Sequence, residues 1–555
     1  AIAVRHLNLG LSGGRIGLDG TLSPNLNATL SVQNLPASLA RMFAPSIDAS
    51  GTLSATAQVT GSMHAPNGHL TLDARAIKLH SGPAAALPAA DFSGTATMAG
   101  SSATIATKLA AGPNMSLTAA GLVPLNTSGA MNLHVTGRTD LRLLDPILAA
   151  EGSVVRGLVT ADVTVTGNAT APRAIGSAML AGGSVENISS GLNLTHISAR
   201  VQASGPSIAL QNFQATAGKG SITGHGTVDL NGDMPIDLAI DAAGATPVSS
   251  DIVTEKLDAA LTVKGALKGK MALGGTIKIV SANINIPQSL PPSVANLPIV
   301  NAGTKPPPPA APAPPIALDL AVRAENQIFV RGDGLFAELG GHLHIGGTAA
   351  NPDPEGGFDL IRGNFSLAGT NLQFTQGDVS FNGNGFMPTL NLQASTVTTV
   401  NNTTATLIVG GTAAKPTITL TSSPPLPSDE ILAQLLFGQS TANLTAFQAA
   451  SLAAALAQLS GVGGGLNPLD RVRNALGLDQ LSLSGSGSGP PSVQAGRYVA
   501  PGVYVGATQA TNGQGTQASV QVNLYKGLKL QTSTGTSSTG SGDASSVGLT
   551  YQFNY

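Results

Sequence analysis

The chain has 555 residues, more than one hydrophobic core commonly supports, so it is either several domains or one repetitive assembly. Only 10% of the residues are charged and the formal net charge is -2, without the basic run that neutralising nucleic-acid phosphates requires, so nucleic acid is not an expected partner. Cysteine is absent, which excludes a disulfide framework and a thiolate metal site, and the abundance of Gly, Ala, Ser, Thr, Asn, Val and Leu is that of a β-repeat protein.

The sequence opens Ala1-Ile2-Ala3-Val4 without an initiator Met or the segments of a leader, which predicts a processed product or a fragment whose N-terminal anchor is missing. Residues 1–286 read as a repetitive β region. Short alternating runs such as Leu70/Leu72, Leu133/Val135, Val163/Val165 and Ile236/Leu238/Ile240 carry the period-two signal of half-buried strands. Thr, Ser, Asn, Asp and Ala stand between them, so one face of the sheet is apolar and the other wet. A turn signature, glycine five residues before proline, recurs four times along the chain: Gly61 to Pro66, Gly167 to Pro172, Gly347 to Pro352 and Gly411 to Pro416. Glycine supplies backbone angles that end a strand and proline fixes the turn, so one hairpin device is reused. These features predict an all-β fold, an elongated curved sheet with a groove along its apolar face and a few short helices near the C-terminus.

Residues 287–315 are rich in proline, which lacks ladder donors, and read as a linker or an excursion from the sheet. Over 316–427 strands resume with bulkier side chains, and ten of the 13 Phe residues lie at or beyond Phe329. Residues 428–480 read as helical. Ser428 is a candidate cap, Asp429 and Glu430 suit the positive helix end, and Gly438 suits a left-handed stop. A second helix is predicted over 444–459 and a third from Pro468 through Leu469, Val472 and Leu476. The final segment, 481–555, returns to strands and holds all five tyrosines. Its last strand places Val547, Leu549, Tyr551, Phe553 and Tyr555 on one face. No stretch is long and apolar enough to cross a bilayer as a helix.

Catalytic and cofactor spacings are missing: there is no G-x-G-x-x-G, no G-x-x-x-x-G-K-[ST] and no H-E-x-x-H. His342 and His344 share a strand face without a carboxylate pair, a poor metal site. Asp429 and Glu430 are explained by the helix dipole rather than acid–base chemistry. The sequence therefore predicts a protein that is not an enzyme and has no catalytic residue, metal or cofactor.

The third turn repeat, the Ser428-Asp429-Glu430-Ile431-Leu432 to Leu436-Phe437-Gly438 helix, Leu476-Gly477-Leu478-Asp479, the Ala495-Gly496-Arg497-Tyr498-Val499-Ala500-Pro501-Gly502-Val503-Tyr504-Val505 strand pair and the aromatic last strand occur in a distinctive order. Over about 345–555 this order resembles the C-terminal domain of the TamB family, the AsmA-like, bridge-type lipid-transfer components of the translocation and assembly module. The resemblance implies a periplasmic protein of Gram-negative bacteria, anchored in the inner membrane. It further implies phospholipid transfer to the outer membrane together with an Omp85-type, TamA-like barrel, in support of outer-membrane protein and autotransporter assembly. On it, the apolar face becomes a candidate groove for phospholipid acyl chains, lined by Ile236, Leu238, Ile240, Leu318, Leu320, Val322, Phe358, Leu360, Phe365, Leu367, Leu372, Phe374, Val379, Phe381, Leu390 and Leu392. Tyr551, Phe553 and Tyr555 become candidate contacts to the barrel, with closure of the local core as the competing role. A conduit is physically reasonable, because moving two long acyl chains through water costs on the order of 20 kcal/mol. Two rivals remain: an assembly factor that templates β-strand addition without carrying lipid, and a secreted β-solenoid adhesin.

Overall fold

All four glycine–proline signatures close the same hairpin in the computed structural model. Gly61, Gly167, Gly347 and Gly411 pair across the ladder with Pro66, Pro172, Pro352 and Pro416. Their φ angles are +99°, +89°, +75° and +81°. At Gly167 a Cβ would stand 2.4 Å from the Ala171 carbonyl oxygen, so both the angle and the space require glycine.

The structure describes residues 2–23, 25–42, 48–62, 65–80, 83–126, 129–149, 152–286, 316–332, 335–367, 370–383, 385–397, 402–413, 415–459, 472–473, 475–484, 492–500, 502–510, 515–525, 528–536 and 545–551. The predicted proline-rich segment 287–315, Pro468, Leu469, Phe553 and Tyr555 lie outside them. The fold is all-β. A long open sheet of 25 strands and a second sheet of six carry the chain, and among the described residues neither closes into a barrel. Every described pairing between named strands is antiparallel and joins neighbours in sequence, with one variation: Pro352–Leu367 pairs with both Thr370–Gln373 and Gln376–Asn382.

The contacts define two units, the first centred on Ala1–Ser250 and Leu257–Gly275, the second on Leu318–Tyr555. In the first unit, the strands alternate as the sequence predicts. Cross-strand rows such as Leu18–Leu30–Ala57–Leu70–Ala96–Ile105 run over successive strands on one face. The other face is polar and carries side-chain ladders, such as His69 Nδ1 to Thr97 Oγ1 at 3.3 Å and Thr118 Oγ1 to Thr136 Oγ1 at 2.6 Å. A short helix α1, Asp145–Leu148, interrupts this unit where no helix was predicted, with proline in its first turn.

The ladders are broken at intervals by bulges in which one residue takes a left-handed angle. At four of them a side chain on the next strand accepts the freed N–H: Asn34 to Ser54 Oγ at 3.1 Å, Ala76 to Asp91 Oδ1 at 2.8 Å, Gly244 to Asp258 Oδ1 at 2.6 Å and Gln327 to Glu338 Oε1 at 3.3 Å. Their φ angles are +49°, +50°, +55° and +66°. Each coincides with a register shift in the pairing.

The second unit adds helices α2, Ser428–Phe437, and α3, Ala446–Leu459. Ser428 is already the first helical residue of α2, and Pro427 occupies the cap position without a side-chain bond, which corrects the predicted Ser428 cap. Gly438 ends the helix in the left-handed conformation (φ +64°), as predicted. Glu430, one turn in, accepts from the Thr441 N–H at 2.9 Å, the Thr441 hydroxyl at 2.7 Å and Gln434 Nε2 at 3.0 Å. Val472 and Leu476, predicted on a third helix, are 48% and 64% exposed.

Candidate functional site

In the first unit the predicted groove residues Ile236, Leu238 and Ile240 lie two apart on one strand and all three are half-buried. Leu238 sits in the row Val201–Leu210–Gly226–Leu238–Val263, so apolar side chains line up across five adjacent strands. Glycine alternates with larger side chains in these rows. Gly226 (φ +158°) brings the Asp237 carbonyl within 2.2 Å of where a Cβ would be, and Leu238 fills the space beside it. No buried cluster of apolar residues forms among the described residues of this unit; both clusters belong to the second. The first unit thus presents a strip of Leu, Ile and Val that is neither wet nor sealed.

The second unit divides its candidates into two groups. Phe358, Val379 and Leu390 form a row with Ala324 and Gly341, and Phe381 meets Phe358 edge-on at 6.3 Å. Leu318, Phe358, Val379, Phe381 and Leu390 stay half-buried, while Leu320 and Val322 are 8% and 7% exposed. By contrast Phe365, Leu372, Phe374 and Leu392 are buried in one cluster with Ile431, Leu432, Leu435 and Leu436 of α2 and Leu452 and Ala455 of α3. Leu360 packs against that cluster and against a second one built on Ala324, Ile328, Ala337 and Leu339. Here two helices cover the sheet face that the sequence suggests is open. Leu367 is placed by its backbone, paired with Thr370.

Sequence reasoning missed the opposite face of the same strands. Phe336 through Gly340 are all buried: Ala337 and Leu339 in the second cluster on one face, Phe336 against the six-stranded sheet on the other. Tyr498 stacks on Phe336 at 4.1 Å and meets Tyr504 at 5.2 Å. The Arg331 guanidinium lies 5.3 to 5.9 Å from the rings of Phe329, Phe336 and Tyr498. Beside them Glu338, 3% exposed, is ion-paired with Arg362. Burial pushes the Tyr498 phenol up to about 12 and raises Tyr504 further, so both stay neutral. The legible signal was the triplet Leu335-Phe336-Ala337, apolar on both faces of the strand, which marks burial on two sides. A cavity of about 1020 Å³ opens beside this contact, lined by Arg323, Glu325, His342, His344, Asp359 and Gly502 among others.

The predicted barrel contact Tyr551 is 60% exposed on Ser546–Tyr551, the last described strand, every residue of which is exposed. Among the described residues this strand is an edge strand of the small sheet.

This chain is, by fold and site, a long open antiparallel sheet with one apolar face and no group of metal-binding side chains among its described residues. The profile of the TamB C-terminal domain matches residues 211–555, and the chain belongs to that family. The translocation and assembly module subunit TamB of Haemophilus influenzae is 29% identical over 181 residues, which are 32% of this chain and 14% of that protein. No described helix is long and apolar enough to cross a membrane.

Proposed function

We propose that this chain forms part of a phospholipid conduit between the inner and outer membranes of a Gram-negative envelope, within the translocation and assembly module. In this reading it ends at an Omp85-type, TamA-like barrel and supports outer-membrane protein and autotransporter assembly. Residues 1–286 and 316–427 form the groove, 287–315 a linker, 428–480 the helical cover and 481–555 the strands that face the partner.

The observation that carries the proposal is the row of half-buried Leu, Ile and Val around Leu238, where no buried apolar cluster forms among the described residues of the first unit. An acyl chain laid along it would bury each methylene at about 0.8 kcal/mol without leaving an apolar surface. Neighbouring rows of similar composition keep that energy nearly constant along the strip, so the lipid slides rather than sticks. The polar opposite face needs no partner.

The test is mass spectrometry of phospholipids co-purified with the chain, combined with photo-crosslinkers at Leu238 and at Asp237 on the opposite face. Lipid crosslinked at Leu238 alone is the expected result. Lipid-free protein, or equal labelling at both positions, removes the conduit. A second reading, strand templating without lipid, is favoured by the position of Ser546–Tyr551 as an edge strand of the small sheet among the described residues, the place where a barrel strand would add. Deleting residues 547–555 is expected to weaken barrel binding. Unchanged affinity would return Tyr551 to local packing.

A further inference from the structure

The six-stranded sheet has its polarity reversed. Its side-chain alternation puts Gln517, Ser519, Gln521 and Ser533 on the face that also carries Tyr498 and Tyr504, the face turned toward Phe336 and Arg362. Two of these groups are bonded on that face: Gln517 Nε2 donates to Ser533 Oγ at 3.0 Å, and Ser533 is 2.7 Å from Ser546 Oγ and only 6% exposed. The outward face is apolar toward its Tyr551 end, while Thr532 stands in the Val505–Val520–Val547 row and Gln509, Thr516 and Thr534 lie farther along it. Val503, Val522, Leu530 and Leu549 form one cross-strand row, flanked by a row through Val505 and Val547 and by the pair Leu528 and Tyr551. Val505, Val547 and Leu549 are 38%, 77% and 63% exposed, and Val499 is 59% exposed. A sheet in water carries its polar residues outside; one facing hydrocarbon carries them inside.

From this reversal we infer that the outward face of the last five strands contacts the hydrocarbon of a lipid bilayer directly. Three points favour lipid over a protein partner. The apolar rows extend across strands rather than gathering in a pocket with polar groups that would orient a protein. Among the described residues of this face the only charge is Arg497, whose stem can carry its head to the interface. Tyr551 closes the apolar rows at one end, the position of an interfacial aromatic. Rows stand roughly 7 Å apart, so three of them cover about 14 Å. That is half of the ~30 Å hydrocarbon thickness and matches one leaflet. The sheet dips into a leaflet without spanning it. This goes beyond the conduit, which concerns acyl chains on the long sheet.

The chain has no tryptophan, so a single introduced one is an unambiguous reporter. Leu549→Trp and Val505→Trp probe the outward face and Gln531→Trp the inward one, each in the full chain with phosphatidylcholine vesicles brominated on the acyl chains. The expected result is co-flotation with quenching and a blue shift at positions 549 and 505 and neither at 531. Val547→Asp with Leu549→Asp, at positions too exposed to affect folding, is expected to abolish flotation. No flotation, flotation unchanged by the double substitution, or equal quenching on both faces overturns the inference; the first two assign the face to a protein. A chain that floats but carries no lipid at Leu238 defeats the conduit alone, and one that carries lipid without floating defeats only the membrane contact.

Discussion

Leu432 lies at the centre of the contact between α2 and the long sheet, fully buried with Leu407 and Ala405, also at 0% exposure, and Leu392 at 3% in the same cluster. Leu432→Ala removes three carbon groups, which at about 0.8 kcal/mol each amounts to roughly 2.4 kcal/mol of lost transfer energy. A cavity contribution adds to it. The sheet side chains are fixed by their ladder and α2 is tied at Glu430 to Thr441, so the void closes little. The expected loss is therefore about 3 to 4 kcal/mol, within the range for buried Leu→Ala. Because 1.4 kcal/mol is a factor of ten, local opening of α2 becomes several hundred times more populated. Native-state hydrogen exchange reads this at the Gly438 amide, which donates to the Gln434 carbonyl at 3.0 Å. Amides in Pro172–Asn187, in the first unit, serve as the reference and are expected to stay unchanged. A change below about 1 kcal/mol at Gly438, or an equal change in the reference strand, would refute the packing assigned to α2.

Gly167→Ala is expected to cost roughly 2 kcal/mol through its left-handed angle and the Ala171 carbonyl, whereas Gly182→Ala, at φ +60° with nothing within 4 Å, costs less; urea midpoints of the two variants check the difference. For Glu430, burial alone would raise the pKa, but the Thr441, Gln434 and Ser440 hydrogen bonds prevail and hold it at about 2. A depressed carboxyl stabilises the fold fully above its ordinary value of 4.5 and loses that contribution as pH falls through about 2. The melting-temperature gap between wild type and Glu430→Gln should accordingly shrink from pH 6 to pH 2, and a constant gap would contradict the assignment. Glu338→Gln should cost roughly 3 kcal/mol by removing the buried charge paired with Arg362, while Glu338→Leu with Arg362→Met recovers most of it; a double-mutant cycle in denaturant measures the coupling.

The β architecture was legible because two local signals agree everywhere: period-two alternation, and a glycine–proline turn whose geometry admits nothing else. What alternation does not reveal is the cover on a face. Leu238 and Leu392 read identically in sequence, yet one is half-buried in an open row and the other sits 3% exposed under α2. The α2 helix was readable as an apolar segment, but the surface it packs on lies tens of residues upstream, and no local pattern encodes that pairing. A charge at Leu392 is consequently a folding lesion and a poor probe of the groove. Phe336 and Tyr498, far apart in sequence, meet only through the docking of the two sheets, and the hint in the sequence was the short apolar triplet Leu335-Phe336-Ala337.

The bulges with their acceptor side chains have a consequence for how such a chain finds its pairing at all. Strands made of Ala, Thr, Val and Gly resemble one another closely, and a slip of two residues keeps every side chain on its proper face at little energetic penalty. Hydrophobic patterning is blind to that error. A left-handed residue whose N–H fits only Ser54, Asp91, Asp258 or Glu338 on the following strand is not, because a slip leaves both the bent backbone and the acceptor without their counterpart. Such sites act as index marks on a repetitive ruler. Between two marks the sequence can drift among small apolar and hydroxyl residues without losing alignment, which is the freedom a surface needs if its only task is to stay greasy along its length.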